Sequence, residues 1–237
     1  MKSLKYTENL TYVIRQIIKR SPLFLWDYFR ESLLFDLVNG TNTHLRIPKS
    51  ESNSLPNTSE FDDGLLYVAS FTSVILETLS TVEEFLGDKF TSAQFIDFGC
   101  GKGKALLTYA LKYNGKHTHS CIGIEYDKSL CEIAQKNLAN LALNSKNAMV
   151  VCASATDFGK YISSHLLIAY IYNSFQGKTF RTTLDELSNY PHLLIYVDPV
   201  EAGILSEYGY EILDKRKGKY NADTWLVAAN PKVLNII

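Results

Sequence analysis

An acid and three glycines stand at alternate positions in one short stretch, namely Asp97, Gly99, Gly101 and Gly103. The apolar residues before them, 95–98, predict a buried parallel strand, and residues 105–111 predict a helix after them. Glycine tolerates positive φ and lets a ligand approach the main chain closely. Because the start of a helix also offers unpaired N–H groups, the stretch predicts a nucleotide-type binding turn.

The spacing of the glycines disagrees with two common phosphate-binding turns. A dinucleotide-binding turn, G-x-G-x-x-G, would need its third glycine at Lys104. A P-loop would need a glycine at Phe98 and a hydroxyl residue at Ala105. The pattern that remains, D-x-G-x-G-x-G, resembles motif I of the seven-strand (class I) S-adenosylmethionine-dependent methyltransferases. That resemblance implies that the turn wraps the methionine end of the cofactor, S-adenosylmethionine.

A second acid ends the next predicted strand. Residues 119–125 indicate this strand, and it closes on Glu125, followed by Tyr126. A carboxylate can accept hydrogen bonds from both hydroxyls of a ribose, which is the role that the resemblance implies for Glu125. We place Tyr126 in the cofactor site as well. NAD-binding folds use an acid at the same place, so Glu125 supports a nucleoside ligand more than it supports methyl transfer.

The segment after strand three, predicted at 148–152, departs from the family. The resemblance implies an acidic or amide residue near the adenine, and that place holds Ser154, with Asp157 three positions further on. Either side chain, or a backbone group, would then read the adenine. We expect Ala155 and Thr156 to form walls of the cofactor site.

Strand four, predicted at 166–172, ends in the segment Tyr172-Asn173-Ser174-Phe175. Substrate chemistry in a doubly wound sheet lies at this carboxyl edge. The segment resembles the [D/N/S]-P-P-[Y/F] motif of amino-group methyltransferases without its prolines, and it is closer to a Tyr-Asn-Pro-Phe of bacterial relatives. The resemblance implies that Asn173 orients an amine through its side-chain carbonyl and also borders the cofactor. Tyr172, Phe175 and Tyr67 are expected to line the pocket, with Tyr67 on the cofactor side.

The N-terminal part, residues 1–63, is predicted to carry helices and a lid-like loop. Apolar residues at helical spacing cover 4–20, and a second apolar helix ends at Gly40. Residues 41–63 are rich in Ser, Asn, Thr and Pro, which favours a loop over the active site. The helices could cap the site, recruit a substrate or form a homodimer, and these three roles stay open.

Residues 64–237 are predicted to form the S-adenosylmethionine-binding methyltransferase domain. Helical periodicity returns over 64–87, with a brief break at Ser80-Thr81. Strands then alternate with helices, and the chain closes with a hairpin between 210 and 229. The resemblance implies an α/β fold with a doubly wound, mostly parallel seven-stranded sheet of order 3-2-1-4-5-7-6. Strand 7 is antiparallel in that sheet, whereas a plain NAD-binding Rossmann fold would end in a parallel sixth strand.

Composition narrows the class of protein. The chain has 237 residues and a net charge of −1, which argues against a protein that coats bulk nucleic acid. It has no apolar run of about 20 residues and no signal-peptide core, from which we expect a cytoplasmic protein without a membrane span. The 4 cysteines have no C-x-x-C spacing, so we expect buried reduced thiols and no metal site.

Three functional hypotheses follow from these patterns. The first is a methyltransferase that acts on nitrogen, either of a protein lysine or of a small molecule. It needs no Ser/His/Asp set, and we find none; His44 in the loop is the one histidine placed to act as a base. The second is a nucleoside-binding module without catalysis. The third, an NAD-dependent oxidoreductase, is disfavoured by Lys104 and by the terminal hairpin.

Overall fold

A computed structural model describes residues 14, 18, 23–44, 63–64, 67–116, 121–141, 143, 147–217 and 224–237. Seven strands form one mixed sheet: β1 (Gln94–Phe98), β2 (Cys121–Glu125), β3 (Ala148–Cys152), β4 (Leu167–Tyr172), β5 (His192–Val197), β6 (Glu211–Arg216) and β7 (Trp225–Ala229). Their order is β3-β2-β1-β4-β5-β7-β6, and β7 is antiparallel to both of its neighbours. The predicted sheet, including its order and its antiparallel strand, is confirmed.

Helices cover both faces of this sheet. They are α1 (Leu23–Tyr28), α2 (Leu34–Asn39), α3 (Thr72–Leu86), α4 (Lys104–Lys112), α5 (Lys128–Asn140), α6 (Gly177–Leu187) and α7 (Pro231–Leu234). A π-helical turn, Phe29–Leu33, joins α1 to α2, and three 3-10 segments span Gly87–Ser92, Ala155–Tyr161 and Ala202–Tyr208.

The strands at the centre of the sheet are apolar on both faces because both faces are covered. Every residue of β1 is buried, and successive side chains of a strand point to opposite faces. Phe95 belongs to the core that includes α3 and α4, whereas Ile96 and Phe98 belong to the core that includes α6. The sheet therefore separates two hydrophobic cores and presents one carboxyl edge where its parallel strands end.

Helix α3 is shorter than the periodicity predicted. It begins at Thr72, and the described residues before it, 67–71, have no regular structure. The predicted helical start near residue 64 is wrong, because Gly64 instead forms a β-bridge with Phe175. The predicted break at Ser80-Thr81 is also wrong: their hydroxyls donate to the carbonyls four residues earlier, and the helix continues through them.

The N-terminal helices end as predicted. Gly40 follows α2 in the left-handed conformation, with φ 64°. The segment is tied to the rest of the molecule, since Asn42 N donates to Asn137 Oδ1 at 2.9 Å and Ser73 N donates to Glu31 Oε2 at 2.9 Å. The predicted helix over 4–20 lies outside the described residues apart from 14 and 18, as does the loop 41–63 apart from 41–44 and 63.

The expectation of four reduced thiols is wrong for one pair of cysteines. Cys131 on α5 and Cys152 at the end of β3 form a disulfide, with their Cα atoms 5.7 Å apart. Helix α5 packs on β3, so two cysteines that are far apart in the sequence become neighbours. Cys100 and Cys121 are free and buried, as expected. Among the described residues, no helix has the length and apolarity to cross a membrane, and no group of side chains suits a metal ion.

Candidate functional site

A cavity of about 350 Å³ lies at the carboxyl edge of the sheet, where β1, β2, β4 and β5 end. Pockets of this size hold small molecules and cofactors. Ten of the residues predicted from the sequence line it: Tyr67, Asp97, Gly99, Gly101, Glu125, Tyr126, Ala155, Tyr172, Asn173 and Phe175. Gly103, Ser154 and Thr156 were predicted with them and lie outside this lining.

Asp97 lines the cavity, and only 3% of its surface is exposed. Its Oδ2 accepts a hydrogen bond from Leu106 N at 3.1 Å, and its Oδ1 accepts none from the described part of the chain. Burial raises the pKa of Asp97 to about 7, against the lowering effect of the Leu106 hydrogen bond, and the charge of Glu125 raises it further. The structure thus holds a desolvated carboxylate with one oxygen left for a ligand.

Glu125 is held more firmly than Asp97. It is 4% exposed, and its Oε2 accepts from Gly101 N at 2.8 Å while its Oε1 accepts from Asp127 N at 2.9 Å. Burial raises the pKa of Glu125 to about 7, although these backbone hydrogen bonds lower it. The two carboxylate oxygens offer about four lone-pair sites in all, more than the backbone N–H groups use. The acid at the end of β2 is therefore fixed in place and still able to accept hydrogen bonds from a ligand.

The glycine turn is close-packed by side chains of the chain itself. Gly99 and Gly101 have φ values of 65° and 55°, which favour glycine. A methyl group at Gly99 would overlap the Ser174 side chain, and one at Gly101 would overlap the ring of Tyr67. Tyr67 in turn donates its hydroxyl to the carbonyl of Thr43 at 2.7 Å. The sequence analysis predicted that the glycines let a ligand approach the main chain closely. In the structure, the side chains of Tyr67 and Ser174 make that approach.

The two lysines of the turn reach toward the N-terminal helices. Lys104 is 2% exposed; its Nζ donates to the carbonyl of Glu31 at 2.9 Å and lies 3.3 Å from the centre of the Phe35 ring. Burial lowers the pKa of Lys104 to about 7, while nearby acids act in the opposite direction. Lys102 Nζ contacts Asn42 Oδ1 at 3.5 Å. Nothing in the glycine motif signalled that these cations would connect the turn to the π-helical turn, to α2 and to the residues just after α2.

The end of the cavity near β2 and β3 combines apolar side chains with two acids, Glu125 and Asp127. Tyr126 and Ala155 line it as predicted positions. Ser154 instead caps the following 3-10 segment, since its Oγ accepts from Thr156 N at 3.2 Å. Asp157, the other side chain considered for reading the adenine, is exposed and lies outside the lining. Of the residues considered after β3, Ser154, Ala155 and Asp157, only Ala155 lines the cavity, and it has no polar side chain.

The opposite end of the cavity holds a carboxylate that sequence reasoning left unassigned. Asp198 follows β5 directly, as Asn173 follows β4, and both line the cavity. Asn173 Nδ2 donates to Asp198 Oδ2 at 3.1 Å, and Gln176 Nε2 donates to Asn173 Oδ1 at 3.0 Å. The side-chain carbonyl of Asn173, predicted to orient an amine, already accepts one hydrogen bond from Gln176. The sequence feature that could have identified Asp198 as a site residue is its position directly after predicted strand five.

His44 lies apart from the cavity lining. Its Nδ1 is 2.6 Å from Asp36 Oδ2, and Thr41 and Thr43 also donate to Asp36. Although burial raises it, these hydrogen bonds hold the pKa of Asp36 well below its usual range. In the structure His44 therefore belongs to a polar cluster around Asp36 of α2.

Among the comparisons with known proteins, the comparison with solved structures is the one that finds matches. No family model matches the chain, and no curated protein matches it. Similar solved structures include MtNAS in complex with MTA and tNA, at 16% identity and a TM-score of 0.49, over 67% of this chain and 60% of that one. The methyltransferase domain of bacterial CtHen1 has 14% identity and a TM-score of 0.48, over 66% and 99% of the two chains. An rRNA methylase from Streptococcus thermophilus has 12% identity and a TM-score of 0.46, over 65% and 93%.

Proposed function

We propose that this protein is an S-adenosylmethionine-dependent methyltransferase, with its cofactor domain in residues 64–237. The observation that carries the proposal is the pair of buried acids in one cavity, Asp97 and Glu125, on either side of the glycine turn. Both acids are desolvated, and a buried carboxylate is costly unless it is paired. A ligand that carries an ammonium and hydroxyl groups would complement them.

The residues of the cavity fit the three parts of that cofactor. The free oxygen of Asp97 suits the ammonium of the methionine part. Glu125, fixed by two backbone N–H groups, suits the two hydroxyls of the ribose. Tyr126 and Ala155 offer apolar walls to the adenine, so the adenine amino group would meet main-chain atoms rather than Ser154.

The acceptor side of the proposal concerns the end of β4. The cofactor supplies a methyl group already activated by the sulfonium, so the chain has to hold an acceptor and keep water out. Tyr172, Asn173 and Phe175 border that side of the cavity. We favour a nitrogen acceptor, in a protein lysine or a small molecule.

Isothermal titration tests the proposal, with S-adenosylmethionine, S-adenosylhomocysteine and NADH as separate ligands. We expect the two sulfur nucleosides to bind and NADH to give no heat. Asp97→Ala and Glu125→Ala should each weaken binding about tenfold or more, the worth of a hydrogen bond to a charged group. Asp157→Ala, which removes an exposed acid outside the cavity, is the matched control and should bind as the wild type does.

The other outcomes separate the alternatives. Binding of NADH alone would favour the oxidoreductase. Binding of the sulfur nucleosides without transfer of a labelled methyl group to any acceptor would favour the non-catalytic module. Unchanged affinity in both acid variants would refute the assignment of the cofactor site.

A further inference from the structure

The carboxyl ends of β4 and β5 place an amide and a carboxylate side by side. The strands are paired, with Tyr172 opposite Val197, so the residues that follow them, Asn173 and Asp198, become neighbours at the cavity. Neither cofactor acid lies on these two strands, since Asp97 is on β1 and Glu125 on β2. Asp198 therefore belongs to the part of the cavity beyond the cofactor turn.

A chain of hydrogen bonds sets the direction of the Asn173 amide. Gln176 Nε2 donates to Asn173 Oδ1 at 3.0 Å, and this leaves Asn173 Nδ2 to donate to Asp198 Oδ2 at 3.1 Å. Asp198 Oδ1 accepts no hydrogen bond within the described ranges. Asn173 Oδ1 already accepts one hydrogen bond, whereas Asp198 Oδ1 accepts none from the described residues, so the acceptor atom most open to a ligand is Asp198 Oδ1.

The backbone at both residues is held in an uncommon conformation. Within the part of the chain that the structure describes, Asn173 and Asp198 are the only residues other than glycine with positive φ, at 37° and 49°. Backbone strain of this kind persists where the surroundings fix it, often at ligand sites. At Asp198 the main chain is fixed from both sides: its N–H donates to the carbonyl of Thr224 at 2.7 Å, and its carbonyl accepts from Val200 N at 2.8 Å. The turn aims the side chain independently of its hydrogen bond to Asn173.

The surroundings of Asp198 favour an amine, whose nitrogen becomes positively charged as it takes up the methyl group. The same cavity is lined by the rings of Tyr170, Tyr172 and Phe175, and aromatic faces attract ammonium groups. The lysine that also lines the cavity, Lys104, donates its Nζ to a main-chain carbonyl of the N-terminal helices. A carboxylate or phosphate group on the acceptor would be repelled by Asp198, whereas an amine can donate to it.

We propose that Asp198 recognises the methyl acceptor as a neutral amine, by accepting a hydrogen bond from its N–H groups through Oδ1; the nitrogen lone pair stays available to the methyl group, and the methylated ammonium that forms loses a proton to solvent. The substrate class is thus a primary amine, and a residue outside the predicted motif selects it. This inference rests on the proposed function, because it needs the cofactor in the neighbouring half of the cavity.

The experiment compares two adenosine-based probes that carry nitrogen in place of the sulfonium sulfur. They are alike except that one bears an aminopropyl group on that nitrogen and the other an n-propyl group. Isothermal titration of the 237-residue chain measures both, with S-adenosylhomocysteine as the reference ligand. We expect the wild type to prefer the aminopropyl probe about tenfold, as a charge-assisted hydrogen bond implies. Asp198→Asn should abolish this preference and leave the affinity for S-adenosylhomocysteine unchanged.

Two further variants keep the test decisive. Glu201→Gln removes a nearby carboxylate that accepts from Gly177 N and lies outside the cavity lining, and it should keep the wild-type preference. Asp198→Gly removes the carboxylate while suiting the left-handed backbone, so it covers the case in which Asp198→Asn does not fold. An equal preference in the wild type and both Asp198 variants would overturn the inference, as would a uniform loss of affinity for all three ligands. Failure of the wild type to bind any of the three would instead count against the proposed function.

Discussion

The contact between Tyr67 and Gly101 predicts a specific cost for the substitution Gly101→Ala. The new methyl group would overlap the tyrosine ring, and the backbone there has φ 55°. A left-handed conformation costs an alanine about 1–2 kcal/mol. Displacement of Tyr67 would also break its hydrogen bond to the Thr43 carbonyl, worth about 1 kcal/mol. We therefore expect Gly101→Ala to lower the free energy of unfolding by about 3 kcal/mol.

Gly40→Ala is the matched control for the backbone penalty. Gly40 has φ 64°, and no described atom lies within 4 Å of the place where its Cβ would be. It should lose only about 1–2 kcal/mol. Urea denaturation followed by circular dichroism measures both changes.

A double-mutant cycle isolates the clash itself. In a Tyr67→Ala background the added methyl at Gly101 has room, so the same substitution should cost no more than it does at Gly40. The overlap between Tyr67 and a methyl group at Gly101 is refuted if Gly101→Ala and Gly40→Ala cost the same free energy of unfolding in the wild type. It is refuted equally if removal of Tyr67 leaves the cost of Gly101→Ala unchanged.

Two other predictions concern a buried cation and the disulfide. The folded-state pKa of Lys104, about 7, lies below its ordinary value of 10.5, so the unfolded chain binds more protons between these values and the free energy of unfolding should rise with pH. The rise attributable to Lys104 is about 2 kcal/mol from pH 7 to pH 9, and urea denaturation of Lys104→Met should lack it; parallel pH curves would contradict this. The disulfide between Cys131 and Cys152 spans 21 residues, so a reductant should lower the free energy of unfolding by about 3 kcal/mol in urea denaturation of the wild type. The same reductant should have no effect on Cys152→Ser, and a wild-type midpoint that ignores the reductant would count against the bond.

Local patterns were sufficient for much of the fold. The apolar run before Asp97, the glycines after it and the apolar helix that follows define one strand, turn and helix without help from distant residues. Glu125 follows from the same logic one unit later. Because these features repeat along the chain, alternating strands and helices could be predicted, whereas the order of the strands in the sheet was implied by the resemblance to the methyltransferases.

The features that sequence reasoning missed depend on contacts between distant segments. Asp198 becomes a neighbour of Asn173 only when β5 pairs with β4. The disulfide needs α5 to pack on β3, and no local spacing of the cysteines reports that. Residues 67–70 lie in the stretch whose periodicity predicted a helix, yet they line the cavity in an irregular conformation. Periodicity records that a segment is buried, but it does not tell a helix from a chain that crosses a pocket.

Lys102 and Lys104 contact the N-terminal segment. These contacts limit which segments of the chain can be exchanged with another protein to make a chimaera. The shape of the glycine turn is supported by groups that the chain supplies about 60 to 70 residues earlier, including the carbonyl of Glu31 and the amide of Asn42. A chimaera that joined this sheet to the N-terminal helices of another protein would place Lys104 against a different helix, without the Phe35 ring that its Nζ contacts here. A viable crossover therefore has to keep the helices and the glycine turn from the same parent, so that the two segments are inherited as one block.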